Sequence, residues 1–194
     1  MAKPYGIPAL YCDYGWDDFP ESLHDAAARV LAKDARPWCL YLKGGFGSKK
    51  STFAAACLLR WRMHNPPLQG AGDYGQDMSG LFVPSTLATR MLRNPDTSTQ
   101  SYANWATTPM LVLDDLGAER DTDHLRERIS HILLERYENK RKTIITTNLS
   151  VDEFGRRTDQ RIKSRLSQAI IVDMGEKDAR MGVNVTKESS NETN

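Results

Sequence analysis

The sequence predicts an α/β fold with a parallel sheet covered by helices on both faces. Three observations carry that expectation. Short apolar runs alternate with segments of helical period, which is the pattern of strands joined by helical crossovers. Met110-Leu111-Val112-Leu113 and Thr143-Ile144-Ile145-Thr146 are apolar without alternation, as strands buried on both faces must be. A glycine-rich stretch, Gly44 to Ser51, lies between such a run and a helix-forming segment, the context of a phosphate-binding loop.

Residues 1–20 are rich in Tyr, Asp, Pro and Gly and read as an extended lead-in. A helix is expected from about Glu21 to Ala32, with Leu23, Ala27, Val30 and Leu31 on its apolar face. Trp38–Leu42 is the first strand. The helix after the glycine loop runs from about Phe53 to His64, stopped by Asn65-Pro66-Pro67. Residues 68–79 read as a loop. Leu81-Phe82-Val83 is a strand, and Ser85 is placed to cap a helix reaching Leu92. Residues 94–106 are polar and read as irregular. After the 110–113 strand, an amphipathic helix spans about Asp123 to Asn139 on Leu125, Ile129, Ile132, Leu133 and Tyr137. One helical stretch covers about Val151 to Leu166, and Ala169–Val172 is the last strand. Residues 21–180 thus form one core, and 181–194 a polar tail expected to lack order.

The chain has 194 residues, enough for one well-cored domain, and a net charge of +1, so bulk charge alone gives no case for nucleic-acid coating. The three cysteines, Cys12, Cys39 and Cys57, have no metal-binding spacing, and their odd number argues against a disulfide framework. With no membrane-length apolar run and no signal segment, the expectation is a cytoplasmic protein.

In Gly44-Gly45-Phe46-Gly47-Ser48-Lys49-Lys50-Ser51-Thr52 the spacing matches G-x-x-x-x-G-K-[ST], except that Lys49 stands where the pattern has glycine. Loop amides and the first amides of the following helix would cradle phosphate oxygens. Lys50 would reach the outer phosphates, and Ser51 would hold Mg²⁺. Lys49 puts a long side chain where backbone approaches ligand. It either supplies an extra counter-charge or weakens binding. Leu111–Asp115 has the form of an apolar strand delivering an acid to a metal, with Asp114 toward the metal through water and Asp115 toward an attacking water. Asn148, after the next strand, is a candidate for the γ-phosphate or that water. The loop, the acid pair and Asn148 all fall at carboxyl ends of expected strands, where parallel sheets bind ligands. Arg157, Arg161 and Arg165 are spaced i, i+4, i+8; on spacing alone they make a solvated basic face, with a finger to a neighbouring subunit as the rival reading.

Several segments together resemble one family. They are Leu111–Arg120, Glu135-Arg136-Tyr137, Thr143–Ser150 and Arg161–Leu166, with Gly6-Ile7-Pro8 and Phe19-Pro20 in the lead-in. The family is the AAA+ ATPases of the DnaC/DnaI helicase-loader and IstB transposition-helper type. The resemblance runs from about Gly6 to Arg180. It implies a P-loop AAA+ core with the C-terminal lid reduced or absent, ATP and Mg²⁺ as cofactors, and ATP hydrolysis. It implies single-stranded DNA and a replicative helicase as partners, or a transposase for the IstB type. By motif match Asn148 looks like sensor 1 and Arg165 like an arginine finger for self-association, with Arg161 second in that box and Arg180 similar to a late family arginine. The lead-in begins almost at Met1, so the helicase-gripping region of larger members is not expected. The implied function is a helicase loader in DNA replication. The rivals are a transposition helper and a non-hydrolysing adaptor disabled by Lys49.

Overall fold

The computed structural model describes residues 6–32, 35–66, 80–117 and 123–175. The expected loop at 68–79, Arg180 and the polar tail lie outside these residues.

Among the described residues, seven α-helices and five strands follow one another: α1 (Glu21–Leu31), β1 (Cys39–Lys43), α2 (Lys50–His64), β2 (Leu81–Pro84), α3 (Ser85–Arg93), α4 (Pro95–Thr107), β3 (Met110–Leu116), α5 (Asp123–Glu138), β4 (Lys142–Thr147), α6 (Val151–Arg157), α7 (Gln160–Leu166) and β5 (Ile170–Asp173). The strands form one sheet in the order β2-β3-β4-β1-β5, and every pairing is parallel. All carboxyl ends therefore open on one edge.

Alternate residues of each strand face opposite layers. Leu40, Leu42, Val112 and Ile144 pack with α1, α2 and Ile7 and Phe19 of the lead-in. Cys39, Tyr41, Leu111, Leu113 and Ile145 pack beneath α3 to α7 through Leu92, Trp105, Leu133, Phe154 and Ile162. Both sheet faces are thus covered, as the unbroken apolar runs require.

Four local expectations are corrected. The lead-in is not simply extended: among its described residues it makes 3-10 turns at Ala9–Tyr11 and Trp16–Asp18. Gly6, at φ 77°, passes so close to β2 that a Cβ there would meet the Phe82 carbonyl at 2.5 Å. Ser85 is the first residue of α3, not its cap; Pro84 holds the cap position. The stretch expected to be irregular is helix α4. Proline suits its first turn, and its buried side is built from Ser98, Ser101 and Trp105, so hydropathy does not mark it. The helix expected over 151–166 is two helices, because the chain turns at Thr158 and Asp159 restarts it by accepting from the Arg161 amide at 2.7 Å.

Candidate nucleotide-binding site

Between β1 and α2 the chain makes a loop that leans on the end of β5. The Gly45 amide donates to the Gly175 carbonyl at 2.9 Å. Gly44 is at φ 154°, and a Cβ there would stand 2.8 Å from that carbonyl, so the position is closed to side chains. Lys50 opens α2 with its side chain folded back over the loop. Its ammonium donates to the carbonyls of Gly44 at 2.8 Å and Gly45 at 2.7 Å and to Ser48 Oγ at 3.2 Å. Burial pulls its pKa below the usual lysine range, against the opposing pull of Asp115 and Asp114.

Lys49 is at φ 60°, ψ 19°, the left-handed conformation. A glycine suits this position for its backbone as well as for ligand approach, since an L-residue is strained there. The same geometry turns the side chain aside. The Lys49 ammonium lies 4.7 Å from the centre of the Tyr14 ring, a cation–π contact with the lead-in.

Strand β3 carries both acids, and Thr146 on the neighbouring β4 holds them. Thr146 Oγ1 donates to Asp114 Oδ1 at 2.6 Å and accepts from the Asp115 amide at 2.8 Å. The β3–β4 register shifts between Leu113 and Leu116, and Asp115 sits at φ 58° in that irregularity. This puts consecutive acids on different headings. Asp114 is 4% exposed, and burial raises its carboxyl above the ordinary range, against the opposing pull of the Ser51 and Thr146 hydroxyls.

These groups line one cleft of about 440 Å³ at the carboxyl edge: the loop from Phe46 to Thr52, Asp114, Asp115, Asn148, Tyr11, and the Pro84–Thr86 turn after β2. The structure therefore brings the loop, the acid pair and Asn148 together. Phe46 lies 82% exposed at the loop tip. Sequence reasoning missed Tyr11 and Thr146. Thr146 was legible as the polar residue beside the acids across a parallel pair; nothing in the periodicity of the lead-in marks Tyr11.

The arginine trio is not one face. Arg157 ends α6 and donates to the Gly117 carbonyl at 3.1 Å. Arg161 pairs with Asp159, the cap of its own helix, at 2.7 Å. Arg165, in the last turn of α7, is half-buried, its guanidinium 5.2 Å from the centre of the Tyr137 ring and its Nε without a hydrogen-bond partner. Its carbonyl accepts from Trp38 Nε1, just before β1, which places it toward the amino edge of the sheet, away from the cleft.

The fold and this cleft define a P-loop domain of the AAA+ class. Within that class the architecture is DnaC/DnaI-like. The chain superposes on a crystal structure of DnaI with a TM-score of 0.68 at 22% identity, over 89% of this chain and 93% of that one. The DnaC helicase loader matches with a TM-score of 0.67 at 25% identity, over 88% of this chain and 100% of that one. The replication initiator DnaA bound to AMPPCP and single-stranded DNA matches with a TM-score of 0.67 at 12% identity, over 86% of this chain and 50% of that one. No protein-family model and no curated protein matches the sequence.

Proposed function

We propose that this protein is an ATP-dependent helicase loader of DNA replication, a cytoplasmic AAA+ ATPase that binds ATP–Mg²⁺ and single-stranded DNA and self-associates. The observation that carries the ATP reading is the convergence of the Lys50 loop, Asp114, Asp115 and Asn148 in one cleft. The donor set fits a nucleoside triphosphate. The first-turn amides of α2 have no acceptor within the helix, and the partners of the Lys50 ammonium are neutral oxygens that phosphate can replace. Ser51 and Asp114 supply hard oxygens for Mg²⁺. Among the described residues no three His, Cys, Asp or Glu side chains cluster into a self-sufficient metal site, so a cation here would complete its shell with phosphate oxygens and water.

When bound, Mg²⁺ supplies charge neutralisation at the phosphates. The chain's own residues divide the remaining work. Gly44 to Thr52 hold the triphosphate, Lys50 following the outer oxygens. Asp115 orients the attacking water and takes its proton, and Asn148 fixes the γ-phosphate end. Arg165 reaches a neighbouring subunit's nucleotide as a finger, with Arg161 beside it.

The replication role is supported by the likeness to DnaI and the DnaC helicase loader. No described helix is long and apolar enough to cross a membrane. Affinity capture with the purified protein, with and without ATP, tests the role. Recovery of a hexameric replicative helicase is expected; recovery of a transposase in its place contradicts it.

A further inference from the structure

Lys49 departs from the glycine pattern of the loop at a position where glycine is at ease. At φ 60° an L-residue is strained. What glycine cannot supply is the contact of the side chain. Lys49 is half-buried on the wall of the cleft, and its ammonium stands 4.7 Å from the centre of the Tyr14 ring. A cation over an aromatic face is attracted to it.

Tyr14 lies in a stretch with little else to hold it. Before it, the lead-in is fixed to β2: Ile7 is wholly buried, and the Tyr11 ring lies 5.9 Å from that of Phe82. After it, the lead-in is fixed to α1 and α2. The Trp16 ring stacks on His24 at 4.4 Å, Trp16 and Phe19 lie 6.0 Å and 4.9 Å from Phe53, and Arg60 covers Trp16 at 4.6 Å. Between these two anchors Cys12, Asp13, Tyr14 and Gly15 are exposed. The hydrogen bonds of Cys12 and Gly15 stay within the lead-in, to Pro8, Ala9 and Asp18. Among the described residues, no hydrogen bond, ion pair or ring contact other than Lys49–Tyr14 ties residues 12–15 to the loop, the helices or the sheet. The foot of this arch is in the cleft, since Tyr11 lines it together with Lys49.

We propose that Lys49 is a positioning residue that acts through Tyr14: the pair latches the lead-in as a strap along the rim of the cleft and slows the escape of a bound nucleotide. This rests on the nucleotide reading above. The strap must lift for the ligand to leave, so the latch acts on dissociation and leaves association nearly unchanged. A direct ammonium–phosphate contact would instead need Lys49 alone and be indifferent to Tyr14.

The test is stopped-flow release of a fluorescent ATP analogue chased by excess ATP, with amide hydrogen exchange of residues 12–15 followed in the nucleotide-free protein. Tyr14→Leu removes the aromatic face, and Lys49→Met keeps the stem without the charge. Each should speed release about two- to fivefold, the worth of an exposed cation–π contact, and should speed exchange at residues 12–15. The double variant should release no faster than either single one, because both remove the same contact. Tyr14→Phe keeps the face and should match wild type in both measurements. Unchanged exchange in Tyr14→Leu overturns the latch, whatever the nucleotide does. Faster release in Lys49→Met with none in Tyr14→Leu, or effects that multiply in the double variant, overturns it in favour of a direct phosphate contact. If the wild type binds the analogue no better than Lys50→Ala, the nucleotide reading itself fails and the retention role falls with it.

Discussion

Replacing Thr146 by valine changes one hydroxyl for a methyl at a site with no solvent exposure. That hydroxyl makes two bonds at once, to Asp114 Oδ1 at 2.6 Å and from the Asp115 amide at 2.8 Å. The first is charge-assisted, and its loss leaves a buried carboxylate short of a donor, a cost of about 1.5–3 kcal/mol. In a chain of this size that lowers Tm by about 3–12 °C. The loss has a pH signature. Burial already holds the Asp114 carboxyl above its ordinary value in the folded state. Between the unfolded and folded values the native state binds more protons, so stability falls as pH rises through that window. Removing the Thr146 donor raises the folded value further. The Thr146→Val penalty is therefore complete above the folded pKa of Asp114 and shrinks as pH falls through it, where a protonated acid needs the donor less. Urea unfolding followed by tryptophan fluorescence across a pH series measures both quantities. A penalty near zero at neutral pH, or one independent of pH, would refute the view that Thr146 acts by supporting the ionised acid.

Arg136 is wholly buried and donates to Thr143 Oγ1, the carbonyls of Trp105 and Thr108, and the Lys142 carbonyl. Arg136→Leu leaves three buried carbonyls unpaired at about 1–3 kcal/mol each, so a melting temperature within a few degrees of wild type would show that the cage is dispensable. At position 49 the backbone and the side chain pull in opposite directions. Glycine relieves the left-handed strain that alanine keeps, and both lose Tyr14, so Lys49→Gly should exceed Lys49→Ala in stability by about 1 kcal/mol; equal urea midpoints would remove the strain argument. For the finger, Arg165→Ala should bind ATP yet hydrolyse it at least about 10³-fold more slowly, and mixing it with Lys50→Ala should restore turnover. Mixed oligomers that stay inactive would return Arg165 to its place on Tyr137 as a packing residue.

The strands and the glycine loop were legible because each has a local cause. Residues buried on both faces leave unbroken apolar runs, and the loop's chemistry demands its glycines in sequence. The acids and Asn148 were legible by position, since all strands of a parallel sheet end on one edge. Helix α4 was hidden because its buried stripe uses Ser98 and Ser101, which pack by being small. The break at Thr158 was hidden because the i, i+4, i+8 spacing of the arginines imitates a continuous helix, while the deciding signal is the capping side chain of Asp159. Arg136 lies in the apolar stripe of α5, one turn after Ile132 and Leu133, and that spacing was the available sign of its burial. Tyr11 depends on how a lead-in without periodicity returns to the sheet, which no local pattern encodes.

The central claim is that the carboxyl-edge cleft binds ATP through the loop on Lys50. Titrating wild type and Lys50→Ala with a fluorescent ATP analogue in Mg²⁺, with circular dichroism to establish that both are folded, measures it directly. The account predicts saturable binding by the wild type and its loss in the folded variant. Equal affinities in the two proteins, or no binding by the wild type, would contradict it.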